Sequence, residues 1–166
     1  MNKDLEFSYN QKDQSFDYHL RPPTLNDFVG QNKIKKQLNI LIEAAKQRNV
    51  SLDEMIKCIL LVSGSYEYVL ACLPSDKQLN PQAVAEIAQT SKLQFASKEA
   101  IEPTLGYRLG AIPPLLLKEN IPIIFDNSIK QKQKVNISSG NPSAGLELKA
   151  EDLIKLINPL FGDISK

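Results

Sequence analysis

Four short segments of the sequence contain residue types that can take part in chemistry. They are Lys57 in front of an apolar run, residues 106–114 (the glycine–proline loop), Asp126 with Ser128, and residues 138–140 (the serine–glycine turn). A lysine ammonium is a compact cation, and glycine lets another molecule approach the main chain closely. Taken singly, each segment also has an ordinary structural explanation: a strand-end lysine, a turn-forming aspartate or a connecting loop.

Several common catalytic designs do not fit the sequence. The single histidine, His19, lies far along the chain from the other candidates, so a Ser-His-Asp or Cys-His system would require a long return of the chain. No cluster has zinc-ligand spacing and no GxxxxGK[ST] phosphate loop occurs, which argues against a metalloenzyme and a nucleotide hydrolase. Cys58 and Cys72 lie in apolar runs and are expected to be buried free thiols. We therefore expect no metal and no cofactor.

Hydrophobic spacing predicts the elements that position these segments. Apolar residues at helical spacing predict an amphipathic helix over residues 31–48. Two apolar, partly β-branched runs flank residues 63–65 and predict a β-hairpin that starts at Lys57 and ends at Pro74. Asn80, followed by a proline, is typical of a helix N-terminus.

The second half of the chain is predicted to contain more strands than helices. A short strand comes first, followed by a helical turn that Ser97 caps. The turn is expected to stop before Pro103, and a later apolar strand ends at Asp126. Alternation over residues 129–137 predicts one further strand, and a short strand and a final helix, ended by Pro159, follow it. That alternation places three lysines on one strand face: Lys130, Lys132 and Lys134.

The bunching of the strands indicates an α+β fold with a mainly antiparallel or mixed sheet, open or curled into a barrel. At 166 residues, with 42% hydrophobic and 23% charged residues, the chain fits one domain over residues 31–166, preceded by an arm or edge strand over residues 1–30. No apolar run is long enough to cross a bilayer and the N-terminus is polar, so we expect a cytoplasmic protein without membrane contact. A net charge of +1 means that any polyanion must be held by a local patch.

Five segments together resemble the YbaK and prolyl-tRNA editing-domain family, the aminoacyl-tRNA deacylases. They read "MIKCILLV", "TLGYRLGAIPP", "IPIIFDNS", "VNISSG" and "LELKAEDLIKL", and the resemblance extends over about residues 44–164. It implies a mixed α/β fold around a partly closed antiparallel barrel. Lys57 matches the family's active-site lysine.

The resemblance also implies roles for the candidate residues. Lys57 and Gly110 would be catalytic, with a positioned water and backbone oxyanion contacts in place of a protein nucleophile. The pocket for the aminoacyl ester and the terminal adenosine would be lined by Gly106, Tyr107, Ala111, Ile112, Pro113, Pro114, Asp126, Ser128, Ser138 and Gly140. The lysines Lys130, Lys132 and Lys134 would contact tRNA phosphates, with an ordinary solvated face as the alternative.

The segment upstream is similar to a different family. Residues 16–49 resemble the beginning of the RuvB branch-migration ATPase and stop before the place of its phosphate loop, which makes a motor function very improbable. The segment could be a fused fragment that completes the barrel, a partner-binding remnant, or a coincidence of helix composition.

These features lead to two main functional hypotheses. The first is a trans-editing deacylase that hydrolyses mischarged tRNA, with alanyl- or cysteinyl-tRNA for proline as substrate, tRNA as partner and prolyl-tRNA synthetase as a further candidate partner. The alternative is a non-catalytic module that binds a tRNA end or an amino-acid-like ligand and recruits a protein through its N-terminal segment. A recombination accessory protein is the third and weakest hypothesis. The oligomeric state does not follow from the sequence.

Overall fold

A hairpin forms the centre of the fold. The computed structural model describes residues 50–65, 67–141 and 144–166, so the predicted arm and the helix over residues 31–48 lie outside the described residues. Strand β1 (Ile56–Val62) pairs antiparallel with β2 (Tyr68–Pro74), with Cys58 opposite Cys72. The hairpin prediction is confirmed, because apolar and β-branched residues fill both strands and a short polar turn joins them.

Two sheets are built around this hairpin. The larger has the order β3-β1-β2-β4-β7, where β3 is Gln94–Phe95, β4 is Ile123–Asp126 and β7 is Leu160–Gly162. The pairs β1–β2 and β1–β3 are antiparallel, while β2–β4 and β4–β7 are parallel. Strands β5 (Lys134–Ser138) and β6 (Gly145–Lys149) form a separate antiparallel pair.

The mixed sheet is confirmed, but its expected closure into a barrel is wrong. Its edge strands β3 and β7 contain only two and three residues, and each pairs with a single neighbour among the described strands. Strand β5 meets the sheet through one isolated bridge, from Met55 to Asn136. Closure requires a continuous ladder around the barrel, and edge strands of this length do not supply it.

Three α-helices flank the sheets in the described part of the chain. Helix α1 (Pro81–Ile87) starts as predicted, with the Asn80 side chain accepting a hydrogen bond from the Gln82 amide. Helix α2 (Lys98–Leu105) does not stop before Pro103 but continues through it, since burial of its apolar residues offsets the hydrogen bond that proline removes. Helix α3 (Ala150–Ile157) is capped by Asn158, the residue before Pro159.

The predicted strand over residues 129–137 is only partly correct. Asn127–Gln131 form a short 3-10 helix, η1, and strand β5 begins at Lys134. The Asp126 carboxylate caps η1 by accepting from the Ser128 amide, and Ile129 is fully buried. The three lysines that alternation placed in one row therefore belong to different local structures.

The core consists of two apolar clusters, one on each face of the larger sheet. The first, here called the loop face, contains Ile56 and Leu60 of β1 together with Ile112 of the glycine–proline loop. The second, here called the α1 face, contains Leu61 and Val84, the latter from helix α1. Within the described residues, the structure contains no helix long and apolar enough to span a membrane.

Candidate functional site

Lys57 is held by backbone carbonyls next to the end of the hairpin. Its ammonium donates hydrogen bonds to the carbonyl oxygen of Ser75, at 3.2 Å, and to that of Lys77. Burial lowers the pKa of Lys57 below its ordinary value, although the Asp76 carboxylate acts in the opposite direction. The result is a partly desolvated cation in a defined place, unlike a lysine that extends freely into water.

The segment that binds Lys57 is itself fixed by the main chain. We call residues 74–77, which begin at the last residue of strand β2, the carbonyl turn. The Ser75 amide donates to the carbonyls of Leu52 and Met55, at 3.1 and 2.8 Å, and the Lys77 amide donates to Pro74 at 3.2 Å. Because Ser75 is also buried, its carbonyl has little freedom to leave the Lys57 ammonium.

Asp126 is a buried carboxylate beside the carbonyl turn. Only 2% of its surface is exposed; its Oδ1 accepts from the amide and the hydroxyl of Ser128 and lies 3.8 Å from the Lys77 ammonium. Burial alone would raise the pKa of Asp126, but hydrogen bonds from Ser128 and Ser165 and the charge of Lys77 hold it below the ordinary value. The other oxygen, Oδ2, has no hydrogen-bond partner among the described residues. The site therefore contains a charged carboxylate with spare acceptor capacity.

Strand alternation places Lys57 and Asp126 on the same face of the sheet. Lys57 pairs with Leu73, which belongs to the cluster on the α1 face. On β4, Ile124 belongs to that same cluster while Phe125 lies on the loop face, so Asp126 returns to the α1 face.

Ser138 is related to Lys57 through the bridge between β1 and β5. Met55 and Asn136 form that bridge in parallel orientation, and Lys57 and Ser138 each follow two residues later. Val135 and Ile137 contribute to the loop-face cluster, so Asn136 and Ser138 point away from it. The bridge thus brings the start of β1 close to β5, with Lys57 and Ser138 each two residues beyond it.

The glycine–proline loop has the backbone shape that its composition predicted. Gly106 and Gly110 have φ values of 78° and 88°, a region that favours glycine. Residues 111–114 are buried, and Ile112 packs into the loop-face cluster. Gly110 itself is exposed, and a Cβ built there would meet no atom within 4 Å, so positive φ, and not crowding by the protein, is what favours glycine at this position.

The glycine–proline loop touches the serine–glycine turn through one aromatic ring. A Cβ on Gly140 would lie 2.9 Å from Cε1 of Tyr107, whose hydroxyl donates to the Leu116 carbonyl at 3.3 Å. Gly140 also has a φ of 89°, and its amide donates to the Ser138 hydroxyl at 3.3 Å. The serine–glycine turn therefore connects the loop to the strand that carries Ser138.

The three lysines predicted to contact phosphates have different surroundings. Lys132 pairs with Asp53 at 2.8 Å, and Lys134 pairs with Glu147 at 3.1 Å across the β5–β6 pair. Lys130 donates to the Asn127 side chain at 3.1 Å, and its ammonium lies 4.0 Å from the centre of the Phe161 ring. Lys130 and Lys132 line one groove, whereas Lys134 is not among the residues that line it.

Lys57, Asp126 and Ser138 stay predicted site residues, and the carbonyl turn that binds Lys57 was not among the predictions. Its contribution comes from main-chain oxygens, which any residue type can supply, so only the position of "PSDK" directly after a strand could have pointed to it. Among the described residues, no group of three or more histidine, cysteine, aspartate or glutamate side chains could hold a metal ion.

Comparison with known proteins gives three results. The chain is 40% identical over 47 residues to the Holliday junction branch migration complex subunit RuvB of Lactobacillus helveticus, which is 28% of this chain and only 14% of that protein. The hypothetical protein APE2540 is similar in structure, with a TM-score of 0.70, 26% identity and coverage of 76% of this chain and 83% of its own. A protein described as a trans-editing enzyme for prolyl-tRNA synthetase shares the fold, with a TM-score of 0.70, 18% identity and coverage of 76% and 79%.

The sequence profile of the aminoacyl-tRNA editing domain matches residues 36–156, which include Lys57, Asp126, the glycine–proline loop and the serine–glycine turn. The match covers most of the chain and contains the residues that the YbaK resemblance singled out, whereas the RuvB similarity is short. The chain therefore belongs to the aminoacyl-tRNA editing-domain family.

Proposed function

We propose that this protein is a hydrolase that removes the amino acid from mischarged tRNA. The single observation that carries this proposal is the Lys57 ammonium, which the carbonyls of Ser75 and Lys77 fix in a partly desolvated place. Asp126 contacts the same carbonyl turn through the Lys77 ammonium. A charge held in this way can act on an ester or a phosphate without first being ordered, because the surrounding main chain has already ordered it.

The reaction is ester hydrolysis without a covalent intermediate. A water oxygen attacks the ester carbonyl carbon, the bond to the ribose oxygen breaks, and that oxygen leaves with a proton to give free tRNA and the amino acid. An aminoacyl ester is already activated, so positioning of the water and stabilisation of the oxyanion supply most of the acceleration. Lys57 holds the carbonyl or the terminal phosphate, and the exposed backbone at Gly110 offers an amide for the oxyanion.

The serine–glycine turn offers a path by which one substrate could reach both Lys57 and the glycine–proline loop. Ser138 lies two residues beyond the bridge that joins β5 to the chain just before Lys57, and Gly140 lies against Tyr107 of the glycine–proline loop. A substrate that crosses the turn would place its ester between Lys57 and Gly110 and its terminal adenosine against the rest of the loop. Ser128 and Asp126 would then support the site from behind, through Lys77.

The substrates proposed first are alanyl- and cysteinyl-tRNA for proline. Alanine and cysteine differ only by a thiol group, and a group of that size is worth only about 1–3 kcal/mol of discrimination in a pocket. The tRNA is the partner that the reaction requires, and prolyl-tRNA synthetase is proposed as the protein from which mischarged tRNA arrives.

One observation favours a non-catalytic binding module as the second candidate. Two of the three N–H groups of Lys57 are already engaged with backbone carbonyls, which leaves one for a ligand. A lysine in this state could serve to hold a tRNA end or an amino-acid-like ligand without accelerating any reaction.

The test is hydrolysis of alanyl-, cysteinyl- and prolyl-tRNA for proline by the parent protein, by Lys57→Ala and by Lys92→Ala as an exposed-lysine control. We expect the parent and Lys92→Ala to release alanine or cysteine and to leave prolyl-tRNA intact, and Lys57→Ala to be inactive. Failure of the parent on all three substrates would reject the deacylase and favour the binding module.

A further inference from the structure

A groove on the surface carries a concentration of positive charge that extends beyond two of the lysines predicted to contact phosphates, Lys130 and Lys132. It has a volume of about 730 Å³ and lies where helix α3, η1 and β7 come together. Four of the residues that line it are lysines, and one is an aromatic residue that none of the predicted roles includes. These residues are Lys130, Lys132, Lys149, Lys155 and Phe161.

The charges of this lysine groove are only partly neutralised. Lys155 pairs with Glu151 on the same helix, and Lys132 pairs with Asp53. Within the described part of the chain, Lys130 and Lys149 form no ion pair within 4.0 Å. Glu151 also lines the groove, and the charge of Lys149 helps to lower its pKa from farther away. Because the whole protein carries a net charge of only +1, the positive potential here is a local property of the groove.

Phe161 gives the groove a rigid aromatic wall. Its ring packs edge-on against Phe125, with 6.0 Å between the ring centres and an angle of 88° between their planes. The Lys130 ammonium sits over the ring at 4.0 Å from its centre, so this cation is positioned without being neutralised. An ordered, unneutralised ammonium is well suited to a phosphate oxygen.

We propose that the lysine groove binds the phosphodiester backbone of the tRNA acceptor arm. The inference rests on the proposed function, since it supplies the place for the tRNA body whose end reaches Lys57. Helix η1 begins directly after Asp126 and runs to Gln131, so one short element leads from the candidate site to the groove. Five residues at a rise of about 2.0 Å span about 10 Å, which is the length of about three stacked nucleotides.

The composition of the groove favours a nucleic acid over an acidic protein. Point-like ammonium groups around a shallow groove suit a repeating phosphate chain, which brings its charge at regular intervals along one path.

The experiment measures binding of uncharged tRNA for proline by fluorescence anisotropy over a range of salt concentrations. The double variant Lys130→Gln with Lys149→Gln removes the two groove ammonium groups that form no ion pair. The matched control is Lys98→Gln with Lys118→Gln, because both of these lysines are exposed and neither lines the groove. We expect the groove variant to bind at least tenfold more weakly. Its slope of log K against log salt should fall by about 0.7–0.9 for each lost phosphate contact.

The inference is overturned if the groove variant binds tRNA as the parent does, or if the control weakens binding equally. It is also overturned if the parent itself does not bind tRNA. Lys149→Gln alone serves as the test if the double variant does not fold.

A second readout separates this inference from the proposed function. An aminoacyl-adenosine ester lacks the tRNA phosphates, so we expect the groove variant to hydrolyse it at the parent rate while losing activity on aminoacyl-tRNA through a raised KM. If the parent binds tRNA through the groove but hydrolyses neither substrate, the groove stands and the deacylase proposal fails.

Discussion

The surroundings of Lys57 differ from those of the exposed lysines on β5 and α3, although the side chain is the same. Lys57 donates to main-chain carbonyls, and burial lowers its pKa. Lys134 and Lys155 pair with Glu147 and Glu151, and those hydrogen bonds raise their pKa. A neutral acceptor fixes an ammonium in place without cancelling its charge, whereas a carboxylate on an exposed surface cancels the charge. Only the first arrangement keeps a full cation available for a substrate.

Removal of the Asp126 carboxylate should have the largest effect on stability. Asp126→Ala leaves the Ser128 amide without its acceptor and removes the charge that faces Lys77. We expect the free energy of unfolding to fall by about 1–3 kcal/mol, the cost of an unsatisfied buried polar group. Denaturant unfolding measures this change. Asp163→Ala, an exposed aspartate bonded to the Asn127 side chain, is the control and should change stability much less.

The same carboxylate should make stability depend on acid. The pKa of Asp126 in the folded protein lies below its model-compound value of 3.8, so its contribution is complete above about pH 3.8 and is lost as the pH falls through the folded pKa. When the free energy of unfolding is plotted against pH between pH 5 and pH 2, the curve should therefore be flatter for Asp126→Asn than for the parent. Parallel curves for the two proteins would show that Asp126 is not held in its charged form.

The two positive-φ glycines of the site offer a matched pair. Gly140→Ala places a methyl group 2.9 Å from the Tyr107 ring, whereas Gly110→Ala meets nothing within 4 Å. Both variants pay the cost of a left-handed conformation, about 1–2 kcal/mol, and only Gly140→Ala adds a steric clash. We expect the larger loss of unfolding free energy for Gly140→Ala, with part of the difference recovered when Tyr107→Leu is added.

Equal losses for the two glycine variants would contradict the Tyr107–Gly140 contact. Activity gives a second comparison, because a methyl group at Gly110 would crowd a substrate that approaches the exposed backbone. Gly110→Ala should therefore lower kcat/KM more than its small effect on stability suggests. A normal kcat/KM would show that the glycine–proline loop is only a connection.

The exposed ion pair of Lys134 should have the smallest effect. Lys134→Gln removes its pairing with Glu147 at 3.1 Å, and both side chains are about half exposed. Surface pairs of this kind contribute little to stability, so thermal unfolding should shift only slightly. Binding of tRNA should also stay near the parent value, since Lys134 is not among the residues lining the lysine groove.

The parts of the fold that sequence predicts are those with local causes. The hairpin follows from two apolar runs, and the start of α1 follows from Asn80 before a proline. Strand β7 was missed because its three residues follow Pro159 too closely to show a period. Helix η1 was missed because alternating lysines imitate a strand while the Asp126 cap forms a helical turn.

The sequence nominates candidate site residues but not their arrangement. Lys57 and Asp126 are candidates because their side chains have suitable chemistry and lie in recognisable segments. Their connection passes through the carbonyls of Ser75 and Lys77, and main-chain acceptors leave no mark on residue type. Whether the sheet is open or closed also could not be predicted from the sequence, because barrel closure depends on pairings between strands that are distant in the chain.

The most direct test of the account compares two lysines in one assay. Single-turnover hydrolysis of the preferred aminoacyl-tRNA is measured for the parent, Lys57→Ala and Lys134→Ala at saturating protein. We expect Lys57→Ala to lose about 10²–10³-fold in rate, as for the removal of one oxyanion contact, and Lys134→Ala to change less than about twofold. Equal rates for the parent and Lys57→Ala would contradict the claim that the carbonyl-held lysine carries the activity.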